Sequence, residues 1–219
     1  MGLAHTDNIT VNTQSSIRIE AAGKTLYFDP IEIRQATADA DVIFITHDHY
    51  DHFSPEVIGR LMHGQTMLVV PERLVENGVK ALGDRTRVRA VRPGERYEIE
   101  GIQVETVAAY NKTKPFHPKR NGWCGYVIEA DGVRYYVAGD TDMQNENRKV
   151  KCDVALVPVG GTYTMDSTEA AMLVNEIKPQ IAIPVHYGSI VGEPGDGAAF
   201  REHVDPTIEV VFKLDFAND

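Results

Sequence analysis

The stretch Asp41-Val42-Ile43-Phe44-Ile45-Thr46-His47-Asp48-His49-Tyr50-Asp51-His52-Phe53-Ser54-Pro55-Glu56 carries the decisive pattern of this chain. Its first five residues form an apolar, β-branched run that reads as a buried strand. Its end reads as a helix start, with Ser54 as cap and Pro55 at the first helical position. Between them, Thr46–His52 packs three histidines and two aspartates into seven residues. A loop at the end of a buried strand can aim several imidazoles and a carboxylate at one point, which is what a divalent-metal site requires. Side chains repeat with period two in extended chain, so His47 and His49 make a natural pair. Asp51 and His52 lie one step further round and can serve a second ion.

Other strand ends supply further candidates. Val137-Ala138-Gly139-Asp140-Thr141 offers Asp140, whose two oxygens can bridge two metals, with Gly139 allowing close backbone approach. Ile183-Pro184-Val185-His186-Tyr187-Gly188 offers His186 as the last ligand. Asp140 could instead cap a turn, and His186 could be a core histidine. Asp29, ending Leu26-Tyr27-Phe28-Asp29-Pro30, reads either as a carboxylate that holds a ligand imidazole or as a turn residue. Neutral imidazole and carboxylate suit Zn²⁺ and, less selectively, Mn²⁺ or Fe²⁺, with one or two ions held.

His47-x-His49-x-Asp51-His52, with the Asp29-Pro30, Gly139-Asp140-Thr141 and His186 strand ends, resembles the metallo-β-lactamase superfamily over nearly the whole chain. Its layout is similar to the compact single-domain branch of lactonase-like and metal-dependent hydrolase proteins, and to the N-acyl-phosphatidylethanolamine phospholipase D enzymes. The resemblance implies a four-layer α/β/β/α sandwich. Periodicity alone gives only α/β or α+β.

The chain departs from the family pattern at three places. Thr13-Gln14 stand where Gly-His is usual, Ala138 stands where relatives often carry His, and Tyr110 occupies the strand end of the usual third imidazole of the first ion. His117, seven residues past Tyr110, lies on a loop that can fold back over the site as a ligand or as a substrate-contacting acid/base; the bland reading is a loop histidine held between prolines. His5, His63 and His203 read as surface residues.

At 219 residues the chain is expected to form one domain, residues 1–219, with a sizeable core. Strands are expected at 9–12, 16–20, 25–28, 42–46, 66–70, 86–91, 95–99, 101–109, 124–130, 133–138, 154–159, 180–185 and 207–212. Helices are expected near 55–62, from Pro71-Glu72 to a stop at Asn77-Gly78, from an Asp166-x-x-Glu169 cap to Lys178-Pro179, and near 197–204. The net charge of −10 argues against a nucleic-acid-binding surface. Two cysteines, Cys124 and Cys152, define no disulfide framework and point to a reducing, cytoplasmic compartment. No stretch has the length of a membrane span and the N-terminus carries no apolar signal segment. Met1-Gly2-Leu3-Ala4-His5-Thr6 fits the loose myristoylation pattern, read as a chance match.

The chemistry expected is hydrolysis by metal-bound hydroxide, because a bound metal lowers the pKa of water and polarises the scissile oxygen. Asp51 can orient that nucleophile and take its proton. Gly-x-Ser-x-Gly is absent and neither cysteine has a local base. The substrate is expected to be a small ester, lactone or phosphodiester. Four cations in Asn111–Arg120 suit an anionic group, or form an ordinary solvated loop. Gly160-Gly161-Thr162 reads as an oxyanion-binding turn or as a plain one. The alternatives are a phosphodiesterase or nuclease, a di-iron redox protein, and a non-catalytic metal- or ligand-binding relative. Homo-oligomer formation is left open.

Overall fold

The computed structural model describes residues 4–216; Met1–Leu3 of the myristoylation-like hexapeptide lie outside them. Among the described residues, thirteen strands alternate with four α-helices in two runs of the same design. The first run is β1 (Ile9–Val11), β2 (Ile17–Ala21), β3 (Lys24–Phe28), β4 (Ala40–Phe44), α1 (Pro55–Leu61), β5 (Met62–Pro71), α2 (Val75–Leu82) and β6 (Val88–Val91). The second is β7 (Arg96–Ile99), β8 (Ile102–Ala108), β9 (Cys124–Ala130), β10 (Val133–Val137), β11 (Val154–Pro158), α3 (Ser167–Ile177), β12 (Ile181–Val185), α4 (Asp196–His203) and β13 (Glu209–Val210).

Each run builds one sheet in sequence order, six strands in the first and seven in the second. The early strands of each sheet pair antiparallel, through turns such as Asp131-Gly132, and the later ones pair parallel across longer crossovers. The alternating inner faces of both sheets meet in one apolar layer, in which Phe28 stacks on Phe44 at 4.8 Å and Tyr126 of the other sheet tilts against both. The Tyr126 hydroxyl donates to the Ile45 carbonyl at 2.6 Å, tying the second sheet to the start of the histidine loop. α1 and α2 cover the outside of the first sheet, and α3 and α4 the outside of the second. The strands β11 and β12 are covered on both faces and are apolar throughout. This is the expected four-layer α/β/β/α arrangement of the metallo-β-lactamase fold.

Local signals explain most boundaries. Ser54 accepts from the Val57 amide, and Asp166 accepts from the Glu169 amide at 2.8 Å. Lys178 closes α3 in the left-handed region, at φ 53°, just before Pro179. Several strand ends shift, the last strand shrinking from 207–212 to Glu209–Val210 and β5 lengthening to Met62–Pro71, and one helix stop differs: Asn77-Gly78 does not end α2, which runs on to a left-handed Gly83. Gly78 is instead a packing residue. A Cβ there would lie 3.2–3.4 Å from Val88, Leu68 and Val70, so the glycine lets α2 sit close on its sheet. Among the described residues, no helix is long and apolar enough to cross a membrane.

Candidate metal centre

The parallel strands of both sheets end on one side of the molecule, and the candidate residues collect there. β4 delivers Thr46, His47, His49, Asp51 and His52. The second sheet delivers Asp140 past β10, His186 past β12, and His117 from the loop between β8 and β9. Two groups form, with all ligand atoms within 4.8 Å of one another: His47, His49 and His117, and Asp51, His52 and His186. Asp140 stands between them. Its Oδ2 lies 3.3 Å from His117 Nε2 and 3.9 Å from His47 Nε2, while Oδ1 lies 3.2 Å from His52 Nε2 and 3.3 Å from His186 Nε2. Asp51 Oδ2 is 3.4 Å from His186 Nε2. Thus every residue expected at the site is brought to it, and His117 does fold back over it.

Three imidazoles are held from behind in a common way. Asp29, fully buried, accepts from the Thr46 amide at 2.7 Å, the Thr46 hydroxyl at 2.6 Å and His52 Nδ1 at 2.7 Å. Thr46 has spent its proton on Asp29, so His47 Nδ1, 2.9 Å away, must donate to Thr46 Oγ1. The Asn111 amide nitrogen donates to Asp142 and to the Tyr163 carbonyl, which fixes its oxygen as the acceptor for His117 Nδ1 at 2.9 Å. Each Nδ1–H therefore points outward and each Nε2 faces into the cluster, where its lone pair is available to a cation whenever the ring is neutral. A third grouping, Asp29 with His47 and His52, is compact, but both oxygens of Asp29 are already committed to these donors.

The cluster fits divalent cations by what it leaves unsatisfied. Nε2 of His47, His52 and His117, both ring nitrogens of His186 and Oδ1 of Asp140 are buried without a hydrogen-bond partner. Unpaired buried polar atoms cost roughly 1–3 kcal/mol each, and so many in one place call for a cationic occupant. Electrostatics agree. Burial opposes ionisation of Asp140, but the His186 and His52 imidazoles hold its carboxyl well below the usual range. Burial also disfavours charge on His52, yet Asp140 and Asp29 on either side raise it well above an ordinary histidine. His47 goes the other way, pushed well down by burial and by its neighbour His52. Burial raises Asp51, but His186 and His52 outweigh it and lower the carboxyl.

Backbone strain gathers here. Asp29, Gln14 and His186 take φ of 45°, 46° and 57°, the left-handed region that side chains avoid. Gly139 takes φ 65°, and a Cβ there would meet Thr46 at 3.0 Å. Gln14 stands where the resemblance would place a histidine. It is fully buried, its carbonyl accepts from the His186 amide at 2.9 Å, and neither atom of its side-chain amide finds a partner.

A cavity of about 500 Å³ opens over the centre, lined by Asp48, His49, Tyr50, Asp51, Phe116, Asp140, Tyr163, Ile190 and Val191. Lys112, Lys114, Lys119 and Arg120 are absent from that lining. Lys114 is engaged by Asp142 at 3.0 Å and by the Thr164 carbonyl, and Lys119 pairs with Glu146 at 2.6 Å. The Gly160-Gly161-Thr162 segment is a self-satisfied turn, its Gly161 and Thr162 amides donating to Met165 and Gly160 carbonyls. Cys124 and Cys152 are both free, and burial pushes each thiol up to about 12, which leaves no nucleophilic sulfur. Sequence reading missed Thr46 and Asn111, because their roles are set by partners brought in from elsewhere in the chain.

Residues 8–186 match the model of a family described as the beta-lactamase superfamily domain. The chain is 33% identical over 183 residues to a Thermococcus onnurineus protein named UPF0173 metal-dependent hydrolase, covering 79% of this chain and 78% of that relative. A Staphylococcus haemolyticus protein of the same name is 27% identical over 213 residues, covering 90% of this chain and 92% of the other. A solved Parabacteroides distasonis protein superposes with a TM-score of 0.80 at 30% identity, over 94% of this chain and 93% of that one. The Ignicoccus hospitalis metallo hydrolase Igni18 shares the fold, with a TM-score of 0.75 at 21% identity over 93% of each chain.

Proposed function

The chain belongs to the beta-lactamase superfamily, and from that premise we propose that it is a metal-dependent hydrolase, working as a single domain on a small ester or lactone. One observation carries the reading: the two oxygens of Asp140 face two separate groups of ligand-type atoms. His47, His49 and His117 would hold one divalent ion, Asp51, His52 and His186 a second, and Asp140 would join them. Zn²⁺ suits this imidazole-rich set best, with Mn²⁺ or Fe²⁺ as the other candidates. Such ions, when bound, make a water acidic enough to ionise near neutral pH and polarise the substrate oxygen.

The protein groups do the rest. Asp51 lines the cavity and is lowered below the usual carboxylate range. Ionised at neutral pH, it can align the attacking water and accept its proton. Water adds to the acyl carbon, the carbon–oxygen bond to the leaving group breaks, and the proton passes to the departing oxygen. His117 is less suited to proton transfer, since its Nδ1 is engaged by Asn111 and its Nε2 faces Asp140. It replaces the imidazole that Tyr110 does not provide; the Tyr110 hydroxyl is turned instead to Glu146 at 2.9 Å. A phosphodiester is disfavoured among the substrates, because the loop cations do not line the cavity.

The test is elemental analysis after repletion with Zn²⁺ or Mn²⁺, followed by ester and lactone hydrolysis before and after chelation. Two ions per chain and activity that disappears and returns with metal are expected. Activity that survives complete metal removal would sink the reading.

A further inference from the structure

The cavity over the centre divides into two chemically distinct halves. Its polar lining residues, Asp48, His49, Asp51 and Asp140, belong to the metal centre and its loop. The remainder, Tyr50, Phe116, Tyr163, Ile190 and Val191, is aromatic or aliphatic and comes from four separate loops. Phe116 and Tyr163 pack edge to face at 4.6 Å, forming one wall across a gap of 46 residues in the chain. Tyr50 is 78% exposed and Phe116 41%, and both line the same cavity, so their apolar area is gathered at its mouth. No lysine or arginine lines the cavity, so a substrate charge remote from the centre has nothing to meet.

Resting on the hydrolase reading, we propose that this outer half is an apolar subsite, and that the enzyme selects uncharged esters or lactones carrying an aliphatic or aryl group. A cavity of about 500 Å³ is large enough for such a group together with the reacting carbonyl. Tyr50 and Phe116 are exposed and Tyr163, Ile190 and Val191 half-buried, so covering the apolar area they still present costs no unfolding and rewards each added carbon. The expected gain is about fourfold per buried methylene, equivalent to ~0.8 kcal/mol. A terminal carboxylate on the same chain must be desolvated against aromatic walls and cancels the gain.

The experiment uses two series on the metal-loaded full chain. Alkanohydroxamic acids of increasing length, with and without a terminal carboxylate, are titrated calorimetrically, so that binding is read without turnover. The matching alkanoate esters are then assayed for kcat/KM. The proposal expects Kd to fall about fourfold per methylene for the uncharged series and the terminal carboxylate to abolish this. It also expects Phe116→Ala and Val191→Asp each to flatten the length dependence. Binding that is independent of length, or stronger for the carboxylate series, overturns it. Length-dependent binding with no hydrolysis of any ester would keep the subsite and overturn the hydrolase reading instead, so the two failures are distinguishable.

Discussion

Asp29→Asn is a change of one oxygen to one amide nitrogen, well behind the cluster, and it should weaken both of the proposed ion sites. In the native arrangement Oδ2 of Asp29 receives the Thr46 hydroxyl and His52 Nδ1. An asparagine can keep its oxygen toward the Thr46 amide only by turning its NH₂ to those two atoms. His52 Nδ1 must then accept, and its remaining proton moves to Nε2. Thr46 Oγ1 must accept too, and its proton turns to His47 Nδ1, which sends that ring's proton to Nε2 as well. The opposite amide orientation sets two donors face to face at the 2.7 Å contact with the Thr46 amide. Either way the charged hydrogen bonds are lost, at roughly 1.5–3 kcal/mol each. Replacing groups that orient ligands typically lowers metal affinity ~10–100-fold, about 1.4–2.7 kcal/mol, and here the loss falls on one imidazole of each group. Competition with a chromophoric chelator reads both affinities, and circular dichroism checks the fold. Both ions bound within about threefold of wild type by a folded D29N protein would refute the tautomer argument. Thr46→Val isolates one branch of it: the His47 group should weaken and the His52 group should hold.

Other outcomes follow from neighbouring contacts. His117→Ala should lower metal content from two ions per chain toward one, read by elemental analysis after dialysis; unchanged content would remove His117 from the centre. Gly139→Ala places a Cβ 3.0 Å from Thr46 at φ 65°. It should cost about 1–3 kcal/mol, or roughly 2–12 °C in the melting temperature of the metal-free protein, measured by calorimetry. His52 is raised well above an ordinary histidine between Asp29 and Asp140, so it is charged at neutral pH when metal is absent. Metal uptake at pH 7 must therefore release a proton from Nε2, and affinity should fall as pH falls; titration in buffers of differing ionisation enthalpy counts that proton.

The convergence of His47, His49, Asp51 and His52 was legible in the sequence because their spacing, the strand before them and the Ser54-Pro55 helix start are all local signals. Asp140 and His186 were legible by position, each following a buried strand whose end had to face the same side. His117 was visible only as a candidate, since what turns it inward is a hydrogen bond to Asn111, which itself depends on Asp142 and Tyr163. The same dependence on distant partners hid the cation loop's behaviour: Lys114 and Lys119 are drawn to Asp142 and Glu146, which composition could not reveal. Gly78 misled because a glycine in a helix signals an end by default, whereas close approach to a sheet leaves no separate mark in the sequence.

The division of the centre between the two sheets has a consequence for the whole molecule. His47, His49, Asp51 and His52 follow a strand of the first sheet, while His117, Asp140 and His186 come from the second. Each ion would therefore be grasped from both sides and would act as a rivet through the sandwich. Free metal at a hundredfold over its dissociation constant would add about 2.7 kcal/mol per rivet to the closed arrangement. The converse holds equally: a mutation anywhere that loosens the seam between the sheets, even around Phe28 and Tyr126, would register as weaker ion binding. Metal affinity in this protein is then a gauge of how firmly its two halves are docked.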